Sequence, residues 1–330
     1  MDHGEHPGQP QRPPASAHLM IDSLDRTRFN FANTLLQTQS QTANNFTITA
    51  QQPFLYGYFT RLAITQVYLK YRVPTIVATD PSNNIIGNDR FNIFDLGGAG
   101  TGGQVNIPQG YYTAAELATQ LELSIQALGA PFNTYTVSWN APTRSFKIDS
   151  NSANAFYINN PIAINTDAGY RIAKTLNTLG WTWKNGQAAL GGTPGTSQIL
   201  APPQLTYTTF VDICSERLTR YQRVKDSETG TSTVQTPRQI NFNPQANIVA
   251  RVYLVAPNTR VVSTTDTDVG VGTGPVDLVV DYNTPKHIRW SPDEAVFQLD
   301  FTMYDQYGDP LPWKPDMATE FMFTTVASET

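Results

Sequence analysis

Cysteine and histidine are nearly absent from this chain of 330 residues, which has one of the former and four of the latter. A single thiol, Cys214, excludes an intrachain disulfide, and its neighbours Phe210, Val211 and Ile213 mark it as buried, in a protein folded in a reducing compartment. Charge is scarce too. Asp, Glu, Lys and Arg make up 15% of the residues, against roughly 25% in soluble domains, so solubility rests on the abundant Thr, Asn and Gln. A net charge of −5 and a pI near 5.4 give no global electrostatic reason to bind nucleic acid or an anionic membrane. No apolar run approaches the about 18 residues that would read as a transmembrane segment. Residues 1–18 lack the apolar core of a signal peptide. The GxSxG, HExxH and CxxC signatures are missing, and with them the main hydrolase, zincin and redox motifs.

What is present is strongest from Val105 to Asp149. Thr113 followed by Glu116 forms a capping box, in which each residue can satisfy the other's backbone N–H, so a helix is predicted to start there. Leu117, Leu121, Ile125 and Leu128 line up one apolar stripe, with Gln120, Glu122 and Gln126 largely off it, and Gly129 ends the run. Tyr135, Val137 and Trp139 then alternate with polar residues, Asn140 to Thr143 turn the chain, and Phe146 and Ile148 alternate again, which predicts a hairpin.

Strand patterns recur elsewhere: Asn44–Ala50, Tyr58–Val73, Arg90–Leu96, Ala155–Ile158, Leu205–Ile213, Gln239–Phe242, Ile248–Val255, Val276–Tyr282, His287–Trp290, Ala295–Tyr304 and Glu320–Val326. One further helix is expected near Tyr170–Leu179. Many short strands with few helices predict an all-β sandwich or jelly roll and argue against a parallel βαβ sheet. Gly186–Pro203 and Ser263–Pro275 read as long loops, and residues 1–18, rich in Pro, Gly, Gln and His, as an extended arm. The jelly-roll domain is expected over 19–330, with a helix-hairpin and loop insertion at about 97–204.

The chemical candidates are weak. Gly98 to Gly103 formally satisfies GxGxxG, but an extended run through Val105 and Ile107 follows where a dinucleotide site needs a helix, so a flexible loop is the better reading. Asp266 and Asp268 before Gly270 resemble the opening of a calcium loop without its remaining ligands. His3 and His6 beside Pro7 lack the helix that would let them share a metal, and His18 and His287 are isolated. The sequon Asn45-Phe46-Thr47 falls in a predicted strand. Asp300, Asp305 and Asp309 are the carboxylates a glycosidase would use, although turn chemistry around Gln306-Tyr307-Gly308 explains the last two. Trp181 and Trp183 share a strand face and would stack on a sugar if exposed. No catalytic, cofactor-binding or metal-binding residue is assigned, and no cofactor is expected.

IPQGYYTAAELATQLELSIQ followed by TYTVSWNAPTRSFKID resembles the Gly-x-Tyr-Thr-x-x-Glu-Leu helix and hairpin of penton and minor capsid proteins. These belong to icosahedral double-stranded DNA viruses with double-jelly-roll major capsid proteins, including virophages and giant viruses. RIAKTLNTLGW (Arg171–Trp181), FVDICSERLTRYQRVKDS (Phe210–Ser227) and IRWSPDEAVFQLDFTMYDQYGDPLPW (Ile288–Trp313) are similar to further pieces of the pattern, in the same order. The resemblance implies an eight-stranded single jelly roll forming a homopentamer at a capsid vertex, assembled inside the host cell. Its implied partners are the major capsid protein and other minor capsid proteins, without direct nucleic-acid binding or catalysis. Trp290, Trp313, Tyr304 and Tyr307 are candidate interface anchors. A receptor- or glycan-binding head on the same fold, and a carboxylate-dependent glycosidase, are the alternatives.

Overall fold

The computed structural model describes residues 16–25, 42–49, 53–54, 61–97, 101–151, 154–159, 167–181, 190–195, 197–219, 247–255, 259–263, 274–285, 287–289, 295–314 and 317–328. Three strands open the chain: β1 (Ser16–Asp22), β2 (Asn45–Thr49) and β3 (Arg61–Tyr71). A long excursion follows. It comprises β4 (Arg90–Asp95), β5 (Thr101–Asn106), helix α1 (Ala114–Gln126), β6 (Thr136–Asn140), β7 (Ser145–Asp149), β8 (Phe156–Asn159), helix α2 (Asp167–Thr178), β9 (Leu190–Gly195) and β10 (Ser197–Ile199). The chain then returns through β11 (Phe210–Cys214), the single turn α3 (Glu216–Thr219), β12 (Ile248–Tyr253), β13 (Thr259–Ser263), β14 (Val276–Asp281), β15 (His287–Arg289), β16 (Gln298–Tyr304) and β17 (Glu320–Ser328).

Eight of these strands pair as nested antiparallel partners. β1 pairs β17, β2 pairs β16, β3 pairs β14, and β11 pairs β12. First meets last, second meets second-last, and so inward, as in one long hairpin rolled over itself. The roll closes because β17 also pairs β3 and β16 also pairs β11, which yields two sheets, β1-β17-β3-β14-β13 with β15 beside β3, and β12-β11-β16-β2. This is a single jelly roll, an all-β sandwich.

The sheets face each other across one apolar layer to which both contribute: Leu62, Val67, Leu69, Leu278, Phe321 and Phe323 from one, Phe46, Ile48, Ile213, Val252, Phe301 and Met303 from the other. β3 shows how the pattern is kept in register. Leu62 and Ile64 point inward, then Val67, Leu69 and Tyr71, so the buried positions change parity after Ile64. A bulge explains the change: Thr325 faces Ile64 and Thr324 faces Gln66, leaving Thr65 as the extra residue, its hydroxyl donating to the Thr324 carbonyl at 3.2 Å. Without it every apolar side chain beyond that point would turn to the wrong face.

The segment between β3 and β11 has a second core, built from Ile76, Phe91, Ile93, Val105, Leu117, Leu121, Ile125, Tyr135, Phe146, Phe156, Ile172 and Leu176 among others. It lies under a sheet ordered β5-β4-β8-β9, a sheet ordered β10-β7-β6, and the two longer helices. The capping box forms as predicted, with Thr113 N–H donating to Glu116 at 2.8 Å and Glu116 N–H donating to Thr113 Oγ1 at 3.3 Å. Leu117, Leu121 and Ile125 are buried. Two residues expected to fall away from the stripe have a job at the hairpin instead. Glu122 accepts from Val137 N–H at 2.9 Å and Gln126 donates to the Tyr135 carbonyl at 2.8 Å, which satisfies the open edge of β6.

Three expectations need correction. Ser16, Ala17 and His18 are not part of an arm but pair in β1 with Ser328, Ala327 and Val326; residues 1–15 lie outside the described residues. Within the expected glycine loop, Gly102 and Gly103 sit in β5 opposite Phe94 and Ile93. A Cβ on Gly102 would run into the Phe94 ring, and one on Gly103 would come within 2.7 Å of Leu128, so small residues are needed there for packing rather than for mobility. Leu190–Gly195 and Ser197–Ile199, inside the expected loop at Gly186–Pro203, are strands that pair with β8 and β7. The predicted strand at Gln239–Phe242, Trp183, Trp290, His3, His6, Gly98, Gly100, Asp266, Asp268 and Gly270 lie outside the described residues. Among the described residues no helix is long and apolar enough to cross a membrane, and no cluster of three or more His, Cys, Asp or Glu is placed to hold a metal.

Candidate functional site

Helix α2 presents two faces. Ile172, Leu176 and, just past its end, Leu179 pack into the second core. Tyr170, Lys174 and Asn177 lie on the other side, at the same helical spacing, and meet the turn after β16. The helix is held in place by Thr175 Oγ1, which accepts from Arg90 N–H at 3.2 Å, and by Thr178 Oγ1, which accepts from the Asn88 side chain at 2.9 Å.

The turn itself is set by Asp305. Its Oδ1 accepts the backbone N–H groups of Tyr307 at 2.8 Å and Asp309 at 3.0 Å, the turn chemistry expected from the sequence. Its other oxygen does something the sequence did not disclose. Lys174 Nζ donates to Asp305 Oδ2 at 2.9 Å, to Asp309 Oδ2 at 3.3 Å and to Tyr207 Oη at 2.6 Å. Tyr170 donates to Asp309 Oδ2 at 2.8 Å, and the Tyr207 hydroxyl donates in turn to the Ile86 carbonyl at 3.0 Å. The Tyr207 and Tyr307 rings lie 4.4 and 5.1 Å from the ammonium. The Lys174 and Asp305 side chains are 2% and 0% exposed, so this is a buried cluster joining the inserted segment to the roll.

Two carboxylates and one ammonium give the cluster a net negative charge when all are ionised, so its groups hold protons tightly. Burial pushes the Asp305 carboxyl up, and the Lys174 ammonium offsets this only in part. Burial pulls Lys174 toward neutrality, but Asp305, Tyr207 and Asp309 more than reverse it, leaving the ammonium well above its usual range. Burial raises Tyr170 and Tyr207 as well.

Asp300 belongs to a separate device. Its oxygens accept from Glu216 N–H at 3.0 Å, Arg217 N–H at 2.9 Å and Ser215 Oγ at 3.1 Å, so a residue of β16 caps α3. Five residue steps of extended chain lead from Asp300 to Asp305, roughly 16 Å at about 3.3 Å per residue, beyond the span of a glycosidase pair. Trp181 packs against the second core. Of the named anchors, Tyr304 is buried, Trp313 half-buried, and Tyr307 36% exposed. Cys214 is buried. Lys174 escaped sequence reasoning because one lysine in an amphipathic helix ordinarily points to water. Its only signal was its place between Tyr170 and Asn177 on the face opposite Ile172 and Leu176.

The strand pairing defines a jelly-roll protein, and two of its polar clusters, around Lys174 and around Asp300, join separate parts of the chain. No protein-family model matches the chain, and no curated protein matches it in sequence. Among solved structures it is similar to the mavirus penton protein, at 11% identity and a TM-score of 0.48 over 96% of this chain and 99% of that one. It is also similar to a chain in the cryo-EM structure of the Sputnik virophage, at 12% identity and a TM-score of 0.41, again over 96% and 99% of the two chains.

Proposed function

We propose that the chain is a structural protein of an icosahedral virion. In this reading it is the penton, a homopentamer at the fivefold vertices that contacts the major capsid protein and other minor capsid proteins, with no catalytic role. The observation that carries the reading is how the segments resembling capsid proteins hold one another. The helix of Ala114–Gln126 grips the hairpin through Glu122 and Gln126, Lys174 in the Arg171–Trp181 piece grips Asp305 in the Ile288–Trp313 piece, and Asp300 in that piece caps the turn at Glu216. A pattern whose separated parts are bound by specific polar contacts supports one shared architecture rather than a chance run of weak motifs. The use of these groups for joining supports a scaffold rather than an enzyme. Fivefold contacts are heterologous and close into a ring, and Tyr307 and Tyr253, 36% and 48% exposed, are suited to anchor them.

Sedimentation of the purified chain is expected to yield a species of pentameric mass. A monomer at every concentration, together with no uptake into particles, would reject the reading. Residues 1–15 are proposed to act as an arm that orders against neighbours. Their deletion should leave the roll folded and reduce incorporation into particles, and undiminished incorporation would rule the arm out.

A further inference from the structure

The Lys174 cluster has a geometry that a simple ion pair does not need. The Asp305 carboxyl is held at both oxygens: Oδ1 by two backbone N–H groups, from Tyr307 at 2.8 Å and Asp309 at 3.0 Å, and Oδ2 by Lys174 Nζ at 2.9 Å. Two amide donors on one carboxyl oxygen are the arrangement that stabilises negative charge when a nucleophile adds to the carbon between them. The nucleophile placed against this carboxyl is the lysine nitrogen, delivered by a helix whose opposite face is locked into a core. A second carboxylate, Asp309, stands 3.3 Å from the same nitrogen and is steadied by the Tyr170 hydroxyl at 2.8 Å. Water is kept from the pair, whose side chains are 2% and 0% exposed, by the rings of Tyr207, Tyr307 and Tyr170 at 4.4, 5.1 and 5.8 Å from the nitrogen.

We propose that Lys174 and Asp305 condense into an intramolecular isopeptide bond, with Asp309 relaying the proton. The reaction starts with transfer of one proton from the ammonium to the Asp305 carboxylate, which exchanges two buried charges for a neutral amine and a neutral acid. Burial favours both neutral forms, raising the Asp305 carboxyl and by itself lowering the Lys174 ammonium, while the attraction between the charged partners works against the transfer and holds the ammonium above its usual range. The Nζ lone pair then adds to Cγ, and the electron pair displaced from the carbonyl settles on Oδ1 between its two N–H donors. Asp309 accepts a proton from Nζ and returns it to the Oδ2 hydroxyl. The Cγ–Oδ2 bond breaks, one water leaves, and an amide N–H remains. No oxidant or reductant is required, and Asp309 ends with its charge and its Tyr170 hydrogen bond intact. The product ties the inserted segment covalently to the roll.

Intact-mass spectrometry of the full-length folded protein tests this. The wild type is expected to weigh one water less than its sequence, and digestion should release a branched peptide joining the Lys174 and Asp305 segments. Lys174→Arg and Asp309→Asn, which keep the charge and the shape of the turn respectively, should restore the full sequence mass. Wild-type protein at full sequence mass after prolonged incubation would overturn the proposal. So would a water lost within Asp305-Gln306 alone with Lys174 still free, which is a cyclic imide. Bond formation by Asp309→Asn at the wild-type rate would overturn the relay.

Discussion

Replacing Phe301 by alanine probes the meeting of the two sheets. Phe301 stands on β16 and is 1% exposed. Its ring centroid lies 5.6 Å from Phe46 on the neighbouring strand, and 5.6 and 5.4 Å from Phe321 and Phe323 on the opposite sheet. Truncating a buried phenylalanine costs about 3–5 kcal/mol through lost transfer energy and the cavity left behind. Each edge-to-face partner adds about 0.5–1.5 kcal/mol beyond area. With three ring partners and neighbours fixed in strands, the cost is expected to reach at least the middle of that range, about 4 kcal/mol. At a denaturant slope of about 3 kcal/mol per molar urea, the unfolding midpoint should fall by about 1.3 M. The assay is urea unfolding at fixed protein concentration, so that any association contributes equally. Phe297→Ala is the control, because that ring is 46% exposed and surface truncations stay within about 0.5 kcal/mol. If the two variants shift the midpoint equally, Phe301 does not bridge the sheets and the sandwich as described is wrong.

Removing the α1 cap with Thr113→Ala should cost about 1 kcal/mol in the same assay, and adding Glu116→Ala should cost less than the sum of the single changes, because the two side chains serve each other. Gly180 and Gly129 both have positive φ, at 90° and 79°, but a Cβ at Gly180 would strike the Ala201 carbonyl whereas Gly129 faces open space. Gly180→Ala should therefore destabilise clearly more than Gly129→Ala, which pays only the left-handed strain of about 1–2 kcal/mol; equal melting temperatures would contradict the packing of the turn after α2 against Ala201. Burial pushes Tyr68 and Tyr304 up to about 12, and Tyr135, Tyr170, Tyr207 and Tyr282 are raised further. The folded state thus keeps phenolic protons that the unfolded chain releases near pH 10, so stability is full below about pH 10 and falls as pH rises toward 12. A melting temperature flat across that window would refute the burial of these hydroxyls.

The fold was legible where local patterns coincide with what packing uses. The capping box, the stripe of Leu117, Leu121 and Ile125, and the alternation from Tyr135 to Ile148 carry their own structure. Even the bulge in β3 left a trace, as the three-residue step between Ile64 and Val67 in an otherwise alternating run. What escaped depends on distant partners. β1 has little apolar periodicity and becomes a strand only because β17 supplies its ladder. β5 carries two adjacent glycines that read as a flexible loop until Phe94 and Leu128 are seen to occupy the space above them. Lys174 and Asp305 are 131 residues apart, and no spacing rule joins a helix inserted after β3 to a turn after β16. Sequence could name Asp305 and Asp309 as carboxylates in a turn. Only the fold brings a lysine to them, and with it turns candidate acids into a junction.

The proposed role is tested most directly by locating the chain in an assembled particle. Cryo-EM of virions carrying this protein with a small tag fused after Thr330 should show tag density at the fivefold vertices, in contact with the major capsid protein. Particles with complete vertices from which the protein is missing, or tag density confined to positions away from them, would contradict the account.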